Sequence, residues 1–516
     1  MGLSDQLAAP SIRRPRRAGS VFAALLLAGC AVGPDFVRPT PPKAQAYTAT
    51  AMPAALTPGF GEANQRLATG QTITADWWRL FHSPPLDAVL TEAIAGNQNL
   101  AAADATLAQA REAVNQARAA FYPQVDFALS ARREQTTSAG RSTSGHSSHG
   151  GSTEISDLYS LGPSVSYSPD VFGLTRRQVE QQQALAQSQA YQLAAAYLTL
   201  TGNAVSQAIN IASARLQIKA TEDIINDDQQ NLNLVQAKFR AGKAARNDVL
   251  VAESQLANDR TLLPPLRQQL SVAEHALAVL TGKSPAQSGA MEFELAGFTL
   301  PAELPVSLPS QLVRQRPDIL AAEANLHAAS AAVGVATAQL YPTITLSASF
   351  GFEANDLGNL FQGSSEIWSL VSGLTAPIFH GGALRAQQRG ALDALRASLA
   401  TYQQTVLTAF GQVADTLRAL ANDADLVGAG RHALDVANAS LALQRLSYTA
   451  GKSDLIQLLD SQRLYQQARL GFARDQAQRF QDTAQLFVAM GGGWWASKDL
   501  NTGEPPAQVP AAAPSG

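Results

Sequence analysis

The stretch Val406–Leu464, VLTAFGQVADTLRALANDADLVGAGRHALDVANASLALQRLSYTAGKSDLIQLLDSQRL, decides the fold. Within it Val406, Val413, Leu420, Val427, Leu434, Leu441 and Tyr448 keep one heptad phase without a break. An apolar residue at every seventh position is the seam of a coiled coil, because that spacing keeps the seam facing a partner helix. After Gly451 the phase resumes at Leu458, Tyr465, Phe472 and Leu486, with Arg479 as the exception. The stretch therefore reads as an outgoing helix, a tight turn and a returning helix.

The same arrangement stands earlier in the chain. Ile211, Ile218, Ile225, Leu232 and Phe239 precede an Ala241-Gly242-Lys243 turn, and Val249, Leu256, Leu263, Leu270 and Leu277 follow it. An outgoing helix from about Thr175 to Arg240 would run roughly 100 Å at 1.5 Å per residue, which predicts an elongated fold. Pro264-Pro265 predicts a local break in the returning helix, since proline lacks an N–H and clashes with the preceding turn. Asp227-Asp228, on the outgoing helix, reads as a solvated face. Two further matches make the repetition explicit. AVNQARAAFYPQVDFALS (Ala113–Ser130) is echoed by AVGVATAQLYPTITLSAS (Ala332–Ser349), 219 positions later. KFRAGKAARNDVLVAESQL (Lys238–Leu256) is echoed by LSYTAGKSDLIQLLDSQRL (Leu446–Leu464), with Gly242 and Gly451 separated by 209 positions. Two motifs in the same order imply one duplicated unit, far longer than the repeats of a solenoid.

Each unit also carries two segments of period two. Val125, Phe127 and Leu129 alternate with Asp126, Ala128 and Ser130, and Tyr159, Leu161, Val165 and Tyr167 with Ser160, Gly162, Ser164 and Ser166. In the second unit Ile344, Leu346, Ala348, Phe350 and Phe352 alternate with Thr343, Thr345, Ser347, Ser349 and Gly351. Trp368, Leu370 and Leu374 alternate with Ile367, Ser369, Val371 and Gly373. At about ten residues each these match strands crossing an outer membrane; a half-buried soluble sheet alternates in the same way. Four strands cannot close a barrel, and an open edge in hydrocarbon leaves N–H and C=O groups without partners. Several chains must then share one barrel, and three would supply twelve strands. The Ser/Gly-rich segment Thr136–Ser156 reads as an exposed loop. Its His146 and His149 have no further metal-ligand residues clustered around them.

Composition narrows the function. The 516 residues carry a net charge of -3, so there is no basic surface for nucleic acid, and the single cysteine excludes a disulfide framework. Beyond the first thirty residues no run of about 18 apolar residues suggests a spanning helix. The N-terminus itself has a basic region (Arg13, Arg14, Arg16, Arg17), an apolar Val21–Leu27 and the closing Leu27-Ala28-Gly29-Cys30, the pattern of a signal peptide. That closing pattern resembles a lipobox, which implies a diacylglyceryl group on Cys30 as the first mature residue. Acyl chains at about 0.8 kcal/mol per buried methylene make a durable anchor. Ala31 is not the aspartate associated with inner-membrane retention, so outer-membrane sorting is the expectation. Removing residues 1–29 takes away four arginines and Asp5 and moves the net charge from -3 to -6.

Taken with RQRPDILAAEANLHAA from Arg314, APIFHGG from Ala376, the Tyr448-x-x-Gly451 turn and LLDSQR from Leu458, these motifs resemble TolC-type outer-membrane factors, and within them the lipoprotein branch called the NodT family. The resemblance covers residues 30–495. It implies a mixed, mainly α fold: a duplicated helix-strand-strand-helix unit forming a homotrimeric 12-stranded transmembrane β-barrel and a long periplasmic α-helical barrel. It further implies the exit duct of a tripartite efflux pump, partnered by a periplasmic adaptor and an inner-membrane transporter of RND or related type. Outer-membrane lipid is a partner, nucleic acid is not, and no cofactor beyond the covalent lipid on Cys30 is expected.

By the same resemblance Asp460 matches a pore-constricting aspartate, and Ile456, one helical turn earlier on the same face, an apolar constriction. Tyr448 and Asp248 match positions where a hydrogen bond between neighbouring coiled coils holds the periplasmic tip shut, and Gly242 and Gly451 would be the tip turns. Gln457 and Ser453 depart from the carboxylate and arginine of some members. The expected organisation is a signal peptide (1–29), a lipid-anchored extension (30–84), a first repeat (85–300), a second repeat (301–491) and a disordered tail (492–516). No local pattern of a nucleophile with its base or of a phosphate loop points to an enzyme. A duct for type I protein secretion shares this architecture; a coiled-coil periplasmic adaptor would not duplicate the unit.

Overall fold

The computed structural model describes residues 31–496, apart from 43, 45, 51, 54, 57–64, 72, 138–152, 288 and 290–291. The signal peptide, Cys30, His146, His149 and the chain beyond Ala496 lie outside the described residues. The helices are α1 (Pro84–Gly96), α2 (Gln98–Ala119), α3 (Leu174–Arg240), α4 (Arg246–Arg260), α5 (Leu263–Leu280), α6 (Pro309–Gln315), α7 (Pro317–Ala338), α8 (Ala383–Thr449) and α9 (Leu455–Ala489). The strands are β1 (Arg66–Thr69), β2 (Gln124–Thr137), β3 (Thr153–Tyr167), β4 (Glu303–Val306), β5 (Thr343–Ala354) and β6 (Glu366–Thr375). The outgoing helices α3 and α8 are each 67 residues long, as a duplicated unit requires.

Two compact units result, and each draws on both repeats. One contains the segment ending at Val37 with residues 111–185 and 326–398. Its four strands form an antiparallel sheet in the order β2-β3-β5-β6. The register puts Val125 opposite Val165, Leu129 opposite Leu161, Leu161 opposite Phe352 and Phe350 opposite Trp368, so the apolar residues of all four strands share one face. That face is bare within the chain: Phe127, Trp368 and Leu370 are 70%, 75% and 76% exposed. The other face carries serines that pair across strands, Ser130 with Ser160 at 2.7 Å and Ser349 with Ser369 at 2.8 Å between hydroxyl oxygens. Gly162 and Gly351 let β3 and β5 meet closely: a Cβ on Gly162 would stand 2.2 Å from the Phe350 carbonyl oxygen, and one on Gly351 2.4 Å from that of Leu161.

The other unit contains residues 38–110, 186–325 and 399 onward. Its core joins heptad residues of α3, α8 and α9 to Trp77, Trp78 and Phe81 of a short 3-10 turn, with Trp77 stacked on Phe487 at 5.3 Å. A two-stranded parallel sheet pairs β1 with β4, Arg66 opposite Glu303 through Thr69 opposite Val306. Four residues per strand are too few for an alternating pattern to declare itself, and nothing in the sequence announced this pairing.

Several expectations meet their physical cause here. The diproline break falls where expected: α4 ends at Arg260 and α5 restarts with proline at its first positions, where the missing N–H costs no helical bond. Arg479 breaks the heptad pattern chemically but keeps its geometry; it is fully buried, and its Nε donates to Gln65 Oε1 at 3.0 Å. Asp423 is buried beside Arg479 and Asp482, and burial pushes its carboxyl up to about 7, helped by Asp482 and opposed by Arg479. The tail expected from residue 492 begins packed. Gly491, Gly492 and Gly493 all take positive φ, which turns the chain so that Trp494 is buried with its Nε1 donating to the Gln315 carbonyl at 2.8 Å. Helix α7 has the length and hydropathy of a spanning segment, yet 67% of its apolar window is buried inside the protein. The reading of Asp228 as solvated is corrected: it is 2% exposed, because it lies three residues past Ile225 on the coiled-coil seam.

Replacing Gly162 with valine should separate β3 from β5 and lower stability by about 1–3 kcal/mol. A fall in the unfolding midpoint in detergent checks it; an unchanged midpoint contradicts the close approach.

Candidate functional site

The two hairpin turns are built alike. Helix α3 ends with Gly242 at φ +71, the Gly242 N–H donating to Phe239 O (2.9 Å) and the Lys243 N–H to Lys238 O (2.8 Å). Helix α8 ends with Gly451 at φ +72, and Gly451 and Lys452 donate to Tyr448 O (3.2 Å) and Ser447 O (2.8 Å). Both are Schellman closures, in which a left-handed glycine lets the chain satisfy the last helical carbonyls. The returning helices start with acidic caps. Asp248 Oδ2 accepts from the Ala245 N–H at 2.9 Å, and Asp454 Oδ1 from the Gln457 N–H at 3.0 Å. These carboxylates also oppose the positive end of each helix dipole.

One apolar cluster joins the hairpins: Leu232, Val235, Val249, Ala252 and Leu256 from the first, Leu441, Tyr448, Leu455, Leu458 and Leu459 from the second. Tyr448 is therefore a buried residue of this cluster, and the Lys238 ammonium lies 3.6 Å from its ring centroid. Asp248 precedes Val249 of the same cluster, and its carboxylate is engaged by the Ala245 cap. Ile456 and Asp460 face away from the cluster. Ile456 is 66% exposed, and the Asp460 side chain 57% exposed. They share the outward face of α9, as their four-residue spacing requires. Arg463, one turn on, donates from Nη2 to Asp460 Oδ1 at 2.7 Å. The role of Arg463 was not read from the sequence, although its i+3 position relative to Asp460 is the available signal.

A second assembly lies at the N-terminus of the sheet-bearing unit. The Val32 N–H donates to Phe172 O at 3.2 Å, just beyond the end of β3. Arg177, 4% exposed, donates to the carbonyls of Val32 and Gly33 and pairs with Asp35 at 2.7 Å. Phe36 stacks on His327 at 4.4 Å between ring centroids, and the His327 ring meets Glu180 at 2.9 Å. Ala31, the residue after Cys30, packs so closely that a Cβ on Gly173 would stand 2.7 Å from its Cα.

The sequence model of the outer membrane efflux protein family matches residues 89–283 and again 308–492. The chain belongs to this family. The two matches begin 219 positions apart and end 209 apart, the spacings of the internal repeat. Among relatives of this outer membrane efflux protein, the pyoverdine export outer membrane protein OpmQ of Pseudomonas aeruginosa is 33% identical over 86% of the chain and 94% of that protein. Nodulation protein T of Rhizobium leguminosarum bv. trifolii is 29% identical over 92% of the chain and 96% of its own length. A solved structure of the outer-membrane channel OprN superposes with a TM-score of 0.79, at 26% identity, over 90% of this chain and all of that one. The efflux protein accordingly has the α/β tunnel fold of TolC-type channels and resides in the outer membrane. Among the described residues no group of three or more potential ligands could hold a metal ion.

Loss of the Asp248 cap in Asp248→Ala should weaken the first turn of α4 by about 1 kcal/mol. Faster amide exchange confined to residues 245–249 is the expected result; unchanged exchange there contradicts the capping role.

Proposed function

We propose that three copies of this efflux protein form the exit duct of a tripartite pump that moves small molecules out of the cell. The observation that carries this reading is the four-stranded sheet, which has one bare apolar face, a serine-lined opposite face and an outer edge on each of β2 and β6. In hydrocarbon those edges need partners. Three sheets meeting edge to edge supply twelve strands, with Phe127, Trp368 and Leu370 toward lipid and the serines toward a watery lumen. A periplasmic adaptor and an inner-membrane transporter of RND or related type complete the pump. Cys30 carries a diacylglyceryl anchor. The docking of Ala31 and Val32 beside Phe172, where β3 has just ended, supports it by holding the start of the mature chain near the barrel.

In this reading the Gly242 and Gly451 turns form the periplasmic tip, and Ile456 and Asp460 narrow it as rings of three. The exposure of both side chains on one helix face supports that assignment. Rings of carboxylates favour cations, and Arg463 at 2.7 Å moderates the field of each Asp460. Opening is an iris movement of the α8–α9 hairpin away from the α3–α4 hairpin, with Tyr448 in the packed joint between them and Asp248 next to Val249 of that joint.

Deletion of the gene should raise sensitivity to drugs, metals or solvents while protein export stays normal; a selective export defect would instead favour a secretion duct. In planar bilayers Asp460→Ala should raise conductance and reduce cation preference, and Arg463→Ala should increase that preference. Unchanged selectivity in both variants would remove Asp460 from the gate.

A further inference from the structure

One layer of the coiled-coil seam is polar where its neighbours are apolar. Asp228 of α3 and Asp259 of α4 are 2% and 6% exposed, and Gln462 and Gln466 of α9 are 2% and 5% exposed. Each acid stands three residues past a heptad position, Ile225 and Leu256 respectively, and each glutamine stands seven past a cluster leucine, Leu455 and Leu459. These are core positions occupied by hydrogen-bonding groups.

Three bonds run between hairpins and a fourth lies within α4. Gln462 Nε2 donates to Asp228 Oδ1 at 2.7 Å, and Gln462 Oε1 accepts from Asn231 Nδ2 at 2.7 Å. Gln466 Nε2 donates to Asp259 Oδ2 at 3.2 Å, and Gln255 Nε2 donates to the same oxygen at 2.8 Å. Asp228 Oδ2 is buried, and no N–H or hydroxyl donor reaches it. The neighbouring Asp259 side chain, itself buried, is a second carboxyl in the same layer. Two buried carboxylates in contact repel, and an acceptor facing an acceptor forms no bond; a proton between them turns the repulsion into a hydrogen bond.

We propose that Asp228 and Asp259 bind one proton between them, and that this proton clasps the α3–α4 hairpin to α9. The site is a titratable one in a helical wall, distinct from the exposed Asp460. The charges around it leave the pair uncompensated. On α3, Asp227 is held by Arg445 of α8 at 2.7 Å and Asp223 by Arg469 of α9 at 2.5 Å. On α4, Arg260 turns to Gln229, and on α9, Arg463 turns to Asp460. Among the described residues no ion pair includes Asp228 or Asp259. Burial raises the Asp228 carboxyl to about 8, reinforced by Asp259 and Asp227 and opposed only by Arg445.

The sign follows from which state holds the proton. The packed arrangement keeps it where a hydrated aspartate, with its ordinary value near 3.8, has lost it. The clasp is therefore complete in acid and is lost as pH rises through about 8. Between those limits, separating the hairpins releases a proton, so each site shifts the packed-to-separated ratio by up to about tenfold per pH unit. Proton concentration thus becomes an input to how firmly the hairpins hold together, whatever the role of Asp460.

The test uses the full-length protein in detergent. The infrared band of a protonated carboxyl group should be present near neutral pH and lose part of its intensity in Asp228→Asn, because the amide keeps the shape of the side chain but holds no titrating proton. The unfolding midpoint of the natural protein should fall as pH rises from about 6 to about 9, and in Asp228→Asn that fall should be smaller. Should this variant not fold, Asp259→Asn answers the same two questions. Equal bands in natural and variant protein, or parallel loss of stability with pH in both, overturns the clasp.

Discussion

A backbone N–H or C=O group carried into hydrocarbon must find a partner in protein, since no water is present to take its place. The sheet of this chain leaves that demand unmet at the outer edges of β2 and β6, while its apolar face makes the membrane the favourable place for it. The rest of the molecule follows from that tension. In the proposed assembly the unfinished edges are joined to copies of the same chain, and the helices that continue from the strands share that symmetry. The proposed trimer is the smallest closed answer that leaves a watery interior. The serine pairs across β2-β3 and β5-β6, and the glycine contact between β3 and β5, are local adjustments to the same requirement: one face wet, one face dry, and strands close enough to bond.

Duplication explains why a chain of this length has so regular a plan. Two 67-residue helices end in matching Schellman turns at nearly identical backbone angles. Yet the repeats have specialised. The returning helix of the first is broken before Pro264 and Pro265, whereas its counterpart α9 runs unbroken for 35 residues. The unbroken helix carries the exposed Ile456 and Asp460 on one face and the buried Gln462 and Gln466 on another. The first hairpin supplies the acids that those glutamines bind. The joint between the hairpins thus rests on hydrogen bonds as well as on apolar contact. Such bonds depend on geometry, and weaken sharply when helices shift.

Periodicity is the part of this protein that is legible along the chain. Heptads, alternating strands, the Tyr-Pro repeats, the glycine turns and the basic-apolar-cysteine leader are all local patterns, and each is dictated by how many residues separate side chains on one face or by a short run of residue types. They sufficed for the helix lengths, the four strands and the duplication. That Ile456 and Asp460 lie on one helix face was legible for the same reason.

Contacts between residues far apart in the chain were not legible in this way. Arg479 looks like a flaw in a heptad until Gln65, some four hundred residues away, is seen to receive its hydrogen bond. The segment from residue 492 reads as the start of a disordered tail until Trp494 is found against the Gln315 carbonyl. Asp228 reads as one of two solvated acids until Asp259 and Gln462 enclose it. Residue order alone was enough for the elements and their faces, because those are properties of single helices and strands. Which polar residue is buried, and with what partner, was settled by packing, because burial depends on the neighbours that the fold brings together.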